Sequence, residues 1–253
     1  MDALLAFHGI DDSGSVLSYP PDQFDRLLDL LQEAGVSFVS LDQLLAPPVA
    51  GAAAAAARHR VALTFDDGLR SVHAAALPRL ARRRLPFTVY VVADWIGRDN
   101  RWPGQPAAIT RFELMGETEL RELQAAGATL GGHTANHVDC RGLAPDVAQR
   151  ELQESRTRLE QRFGAPFRHF AWPYGRFDAA ARARVVATWE SAATTLLDYL
   201  PADVPAARHD LPRLDSWYLR DPARRLPLFA PRTRAWIAWR RWLRRVRGAA
   251  YGS

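Results

Sequence analysis

The sequence predicts an α/β protein in which strands and helices alternate around a single barrel-like, largely parallel sheet. Three observations lead there. Short apolar runs alternate with amphipathic segments of helical length, about seven such units follow one another, and no break in composition divides the 253 residues. A chain of this length can bury a sizeable core as one domain.

Each element has its own signal. Leu4 to His8 reads as a buried strand. In "PPDQFDRLLDLLQEAG", Phe24, Leu27, Leu28 and Leu31 recur at helical spacing, and Gly35 supplies the stop. "VSFVS" is a second strand, and "APPVAGAAAAAARHR" is a low-complexity connection whose prolines and Gly51 favour a loop. "VALTF" and "FTVYVV" are strands, with a helical pattern between them around Leu69 to Arg84. "GETELRELQAAG" is a helix closed by Gly127, and "ATLGGH" is a strand end. "APDVAQRELQESRTRLEQRFG" is a helix from Pro145 to Gly164. "FRHFAWPYG", "RVVATWESAATT" and "LPRLD" supply further strands. The barrel is expected over residues 1–225, with 226–253 as a basic C-terminal segment.

Hydrophobic content of 48% and charged content of 24% are ordinary for a soluble globular protein. The single cysteine, Cys140, excludes an internal disulfide. "MDALLAFHGIDD" lacks a basic n-region and a long apolar core, so it is not expected to be a signal peptide, and a cytoplasmic location is expected. The net charge of +5 is concentrated toward the C-terminus. There "RTRAWIAWRRWLRRVRG" sets Trp236, Trp239, Leu243 and Val246 on one helical face and arginines on the other. The favoured reading is a terminal helix whose indole face packs on the body. The alternative is peripheral membrane contact through residues 232–247, at the inner membrane face. No nucleic-acid motif accompanies the charge, so no nucleic-acid partner is expected. Oligomeric state is not legible.

Two segments carry chemistry. "GGHTANH" places His133 and His137 four apart, a spacing that on a helical turn brings both imidazoles to one face. "TFDDG" places Asp66 and Asp67 at the end of a buried strand. If both lie at C-terminal strand ends, a carboxylate and two imidazoles meet over a barrel mouth. That set leaves a coordination position open for water, as in catalytic zinc sites. Adjacent aspartates at a strand end point in different directions, so one can bind a metal while the other takes a proton.

In this order and spacing, "TFDDG", "HTANH" and "WPYG" resemble the first three motifs of the polysaccharide deacetylase family, which carries the NodB homology domain and forms carbohydrate esterase family four. The resemblance spans roughly residues 1–217. It implies a deformed (β/α) barrel of NodB-homology type and metal-dependent hydrolysis of an N-acetyl group on a sugar. By motif, Asp66 would be the general base, and Asp67, His133 and His137 the metal ligands. The backbone N–H of Tyr174 would help hold the oxyanion, with Trp172, Pro173 and Trp217 shaping the substrate groove. The metal implied is zinc, with cobalt, nickel or iron also compatible with the donor set.

The sequence departs from the family pattern in three places. The third motif usually carries an arginine where Ala171 stands, with Arg168 nearby as an open replacement. The fourth motif fits Asp215 and Trp217 loosely, its aspartate being expected to pair with the histidine that protonates the leaving amine. That histidine is absent downstream of Trp217, whereas "LAFH" supplies His8 at the other end. In a closed barrel the first and last strands are neighbours. A circular permutation of the motif order, similar to the poly-N-acetylglucosamine (exopolysaccharide) deacetylase branch, would make His8 the general acid. His209 is the rival. His73 is expected at the surface, and Asp11 and Asp12 in a turn. Cys140 is expected as a buried small residue, and Trp95, Trp102 and Trp172 more as packing than as sugar platforms.

The expected activity is deacetylation of an exopolysaccharide, oligosaccharide or glycolipid. Alternatives are a deformylase or other amide hydrolase acting on a lipid-linked sugar, and a non-catalytic carbohydrate-binding descendant.

Overall fold

A computed structural model describes residues 1–46, 59–222 and 227–250, the side chains of 247–250 apart. Most of the alanine-rich connection and the boundary expected at residue 225 lie outside the described residues.

The strands run in chain order as β1 (Asp2–Phe7), β2 (Gly9–Ile10), β3 (Ser18–Tyr19), β4 (Ser37–Phe38), β5 (Arg60–Phe65), β6 (Phe87–Val91), β7 (Thr129–Gly132), β8 (His169–Ala171), β9 (Ser191–Ala193) and β10 (Leu214–Asp215). Eight form one parallel sheet in the order β10-β1-β5-β6-β7-β8-β9, with β4 on β5. β1 and β5 are near-continuous apolar runs because a parallel strand is covered on both faces. Inside lies a packed barrel interior and outside a helical layer. Helix Pro21–Glu33 buries Phe24, Leu27, Leu28 and Leu31, and Phe24 meets Phe7 edge-on at 5.2 Å.

The sheet curls round until its ends are joined by one short stretch of chain. Leu211 bridges Ala193, while Leu214 and Asp215 pair with Leu5 and Ala6. The first strand therefore lies beside the last, as expected. This is an α/β barrel of the kind the motif resemblance implies, distorted because the closing strand contributes only two regular residues.

Two segments differ from expectation. "RVVATWESAATT" is helical in its first half, because Asp178 caps a helix over Ala179–Thr188 by accepting from the Ala181 amide, and only Ser191–Ala193 is strand. The C-terminal helix, Pro231–Ala250, packs through Thr233 and Ile237, with Trp236 half-buried against Tyr218 at 5.8 Å. Trp239 and Val246 point outward instead, at 51% and 46% exposure. The expected packing of one indole face thus holds for Trp236 and the half-buried Leu243 and fails for Trp239 and Val246.

"GGH" is glycine-rich because two neighbours crowd β7. A Cβ at Gly132 would overlap the Trp189 indole, and one at Gly131 would lie 2.7 Å from the His169 carbonyl oxygen. Gly132→Ala is expected to destabilise the fold by about 1–3 kcal/mol, read from urea unfolding.

Candidate active site

The site is built at the C-terminal ends of β1, β5, β7 and β8 and on the segment that closes the barrel. A cavity of about 280 Å³ opens there, and Asp66, Asp67, His133, His137, His8, Tyr174 and Asp215 all border it. Binding sites of barrels with parallel strands gather at this end.

Asp66 and Asp67 follow β5 directly and are both buried at 4% exposure. The Asp66 amide donates to the Phe7 carbonyl, continuing the sheet. Asp67 leaves it with φ at +69°, and this turn sends the two side chains apart. The Asp67 Oδ1 faces the Nε2 atoms of His133 and His137 at 3.4 and 3.2 Å. All three ligand atoms lie within 4.8 Å of one another.

The donor chemistry of this cluster suits a cation. His133 donates its Nδ1 proton to the Ala171 carbonyl, 2.7 Å away. Its Nε2 therefore presents a lone pair toward a carboxylate oxygen that has no hydrogen-bond partner. Burial acts to raise the Asp67 carboxyl, but the imidazoles beside it outweigh burial and hold it well below the usual carboxylate range. Burial lowers His137, favouring the neutral imidazole a metal requires. Buried lone pairs converging in this way fit a divalent ion.

The histidines do not share a helical turn. They sit on a tight loop in which Thr134 and His137 both take positive φ, at 61° and 56°. With Asp67, Tyr174 is a fourth such residue, at 57°, in the "WPYG" turn, and its ring meets His137 edge-on at 4.6 Å. Apart from the helix-terminal Arg84, every described non-glycine residue with positive φ belongs to this site. Strained backbone of this kind persists where the surroundings over-determine it. The loop after β7 is held by a residue the sequence did not reveal. Glu151 is buried at 5% exposure in a π-helical turn, Arg150–Glu154. It accepts from the amides of Ala135 and Asn136, each at 2.9 Å, and from the Asn136 side chain at 2.9 Å. Glu151→Ala should weaken divalent-ion binding about tenfold, measured by metal titration.

Asp66 has a different partner. Arg213, 2% exposed, forks onto it, Nη1 to Oδ1 at 2.6 Å and Nη2 to Oδ2 at 2.8 Å. Its Nε donates to the Thr194 carbonyl, 2.9 Å away. Burial acts to raise the Asp66 carboxyl, and the guanidinium outweighs it, so the net shift is downward. Arg168 does not do this: it lies at the other end of β8, near Asp42 and Glu190. The missed signal was an arginine inside the strand-like "LPRLD", where a charge among apolar residues needs a buried partner.

The remaining candidates separate cleanly. His8 is half-buried and borders the cavity, two residues beyond the Ala6–Asp215 register pair. Asp215 borders it too, but its carboxylate accepts from the Trp217 amide and from Arg244 rather than from His8. His209 is outside the cavity, bonded to the Trp189 carbonyl at 2.9 Å. Trp172 borders the cavity yet is fully buried, stacked on Phe177. Trp102 is 2% exposed and stacks on His137 at 4.2 Å. Pro173 is buried, and Trp217 stands outside the cavity under Arg220. His73 pairs with Glu122, Asp11 caps its turn, and Cys140 is buried with its thiol pushed up by burial.

The family model described as polysaccharide deacetylase matches residues 53–188, more than half of the chain. The chain belongs to the polysaccharide deacetylase family. A Bacillus subtilis (strain 168) protein named for the same family, YxkH, is 24% identical over 179 residues, which is 69% of this chain and 57% of YxkH. SCO4760 of Streptomyces coelicolor is 33% identical over 119 residues, 47% of this chain and 40% of its own length. The chain thus spans only about half the length of these curated relatives. Two solved structures share the fold. The Streptococcus pyogenes deacetylase PplD, solved with acetate, has a TM-score of 0.68 at 21% identity, covering 84% of this chain and 91% of PplD. IcaB from Ammonifex degensii has a TM-score of 0.68 at 24% identity, covering 86% and 94%.

Proposed function

We propose that this polysaccharide deacetylase family member hydrolyses the N-acetyl group of an N-acetylated sugar, releasing acetate and a free amine. The observation that carries the reading is the separation of the paired aspartates. Asp67 joins two imidazoles, while Asp66 is held apart on Arg213 over the same cavity.

Asp67, His133 and His137 would hold a divalent ion, with zinc first among those the donor set suits. Bound there, the ion supplies Lewis acidity that acidifies water and polarises the acetamide carbonyl. Asp66 accepts the proton from the attacking water. The Arg213 fork keeps that carboxylate ionised and fixed, and each of its oxygens retains a second lone pair for the proton. As the water oxygen bonds to the carbonyl carbon, the backbone N–H of Tyr174, which borders the cavity, would help hold the developing oxyanion. His8 then protonates the nitrogen as the C–N bond breaks. Asp215 sits beside the β1 end that carries His8, so its effect there is electrostatic rather than a direct hydrogen bond.

The test is product analysis after incubation with N-acetylated chitooligosaccharides and their N-formylated counterparts. Acetate in proportion to new amine is expected. Formate without acetate would move the protein to the deformylases, and binding without either product would make it a carbohydrate-binding protein.

A further inference from the structure

The C-terminal helix turns its inner arginines to the body and two of its three tryptophans, Trp239 and Trp242, to solvent. On its inner side the guanidinia of Arg240 and Arg244 lie over the Tyr218 ring, each at 5.0 Å, and Arg241 pairs with Asp198. Arg244 also donates to the Thr195 carbonyl and the Asp215 carboxylate, both at 3.2 Å. Thr195 and Asp215 border the catalytic cavity, so the helix is fastened to the rim of the site.

Its outer side is a stripe at helical spacing: Ala235, Ala238, Trp239, Trp242 and Val246, all exposed. Trp242 is 57% exposed. Among the described residues, apart from Met1 and Val186, the other large apolar side chains that stand exposed are Val16, Tyr174, Leu196 and Trp217. Tyr174 borders the cavity, and the other three lie within two residues of its lining members Leu17, Thr195 and Asp215. Exposed apolar surface is therefore concentrated on the helix and around the mouth it is fastened to.

We propose that this helix and the rim of the mouth rest together on an anionic lipid bilayer. Indoles favour the headgroup level, where one edge is apolar and the other wet. The exposed Arg234 and Arg245 flank the stripe, and the helix carries no acidic residue over 231–250. Such a face complements anionic headgroups. It suits a second copy of this chain poorly, because a two-fold contact would oppose one arginine row with another. Among the described residues no helix is long and apolar enough to cross a membrane, so the helix lies on the surface. With the mouth against lipid, the substrate is an N-acetylated sugar anchored in the bilayer by a lipid tail. This last step rests on the deacetylase reading above.

The experiment is vesicle flotation of the full chain, with phosphatidylglycerol–phosphatidylcholine vesicles against pure phosphatidylcholine, for the native protein and the double variant Trp239→Ser/Trp242→Ser. Acetate release is measured in parallel from an N-acetylglucosaminyl lipid in the anionic vesicles and from a water-soluble chitooligosaccharide. The native chain is expected to float with anionic vesicles only, and less at high salt. The double variant should float about tenfold less and lose rate on the lipid substrate while keeping its rate on the soluble one. No flotation, equal flotation of both proteins, or a native dimer that the double variant breaks overturns the docking surface. Acetate from the soluble substrate in that case leaves the deacetylase reading intact. Flotation as expected with no acetate from either substrate overturns the deacetylase reading and leaves the docking surface standing.

Discussion

Replacing Arg213 with methionine is expected to destabilise the protein by about 3–5 kcal/mol. The guanidinium and the Asp66 carboxylate are 2% and 6% exposed as side chains, so removing one leaves the other as an uncompensated buried charge. For a chain of this size the thermal midpoint should fall by roughly 6–20 °C. The pair should also reveal itself through coupling. Asp66→Asn with Arg213→Met should cost less than the sum of the single substitutions by about 1–3 kcal/mol, read from urea denaturation. Additive effects would mean that the fork contributes nothing specific. Arg213→Lys should recover only part of the loss, because an ammonium cannot present two parallel donors to one carboxylate.

Asp66→Asn and His133→Ala are expected to fail in different ways. Asp66→Asn removes the proposed proton acceptor and leaves the imidazole cluster in place. It should keep its divalent ion after purification and lose about 100- to 10,000-fold in turnover. His133→Ala removes one of the three proposed ligand atoms and the bond to the Ala171 carbonyl, so both metal and turnover should go. Metal analysis beside acetate release distinguishes the two. Full turnover by Asp66→Asn would show that the proton goes elsewhere.

Most of the fold was legible because it rests on local patterns. The strands before "TFDDG" and in "ATLGGH" are apolar runs, and helix Pro21–Glu33 shows its buried face as a repeat. The adjacency of the ends was legible from the closed barrel the motifs imply, in which the first and last strands are neighbours, and β1 pairs with β10. What escaped depends on contacts between distant positions. Arg213 meets Asp66 across 147 residues, and no spacing rule connects them. Glu151 looks like an exposed helical residue until the π-helical turn is seen to aim it at the loop after β7. The histidine pair was legible as a pair, but its geometry comes from two positive φ angles rather than a helical turn. The tail misled because arginine ordinarily faces water. Here Tyr218 and Asp198 draw Arg240, Arg241 and Arg244 inward, which turns Trp239 and Trp242 out.

The central claim is that Asp67, His133 and His137 hold the ion on which the hydrolysis depends while Asp66 works beside it. The most direct measurement is acetate release from an N-acetylated chitooligosaccharide by chelator-treated protein, before and after addition of one equivalent of zinc. The account predicts no release from the treated protein, and recovery with one equivalent in the native chain but not in His133→Ala. Undiminished release from the metal-free protein would contradict it.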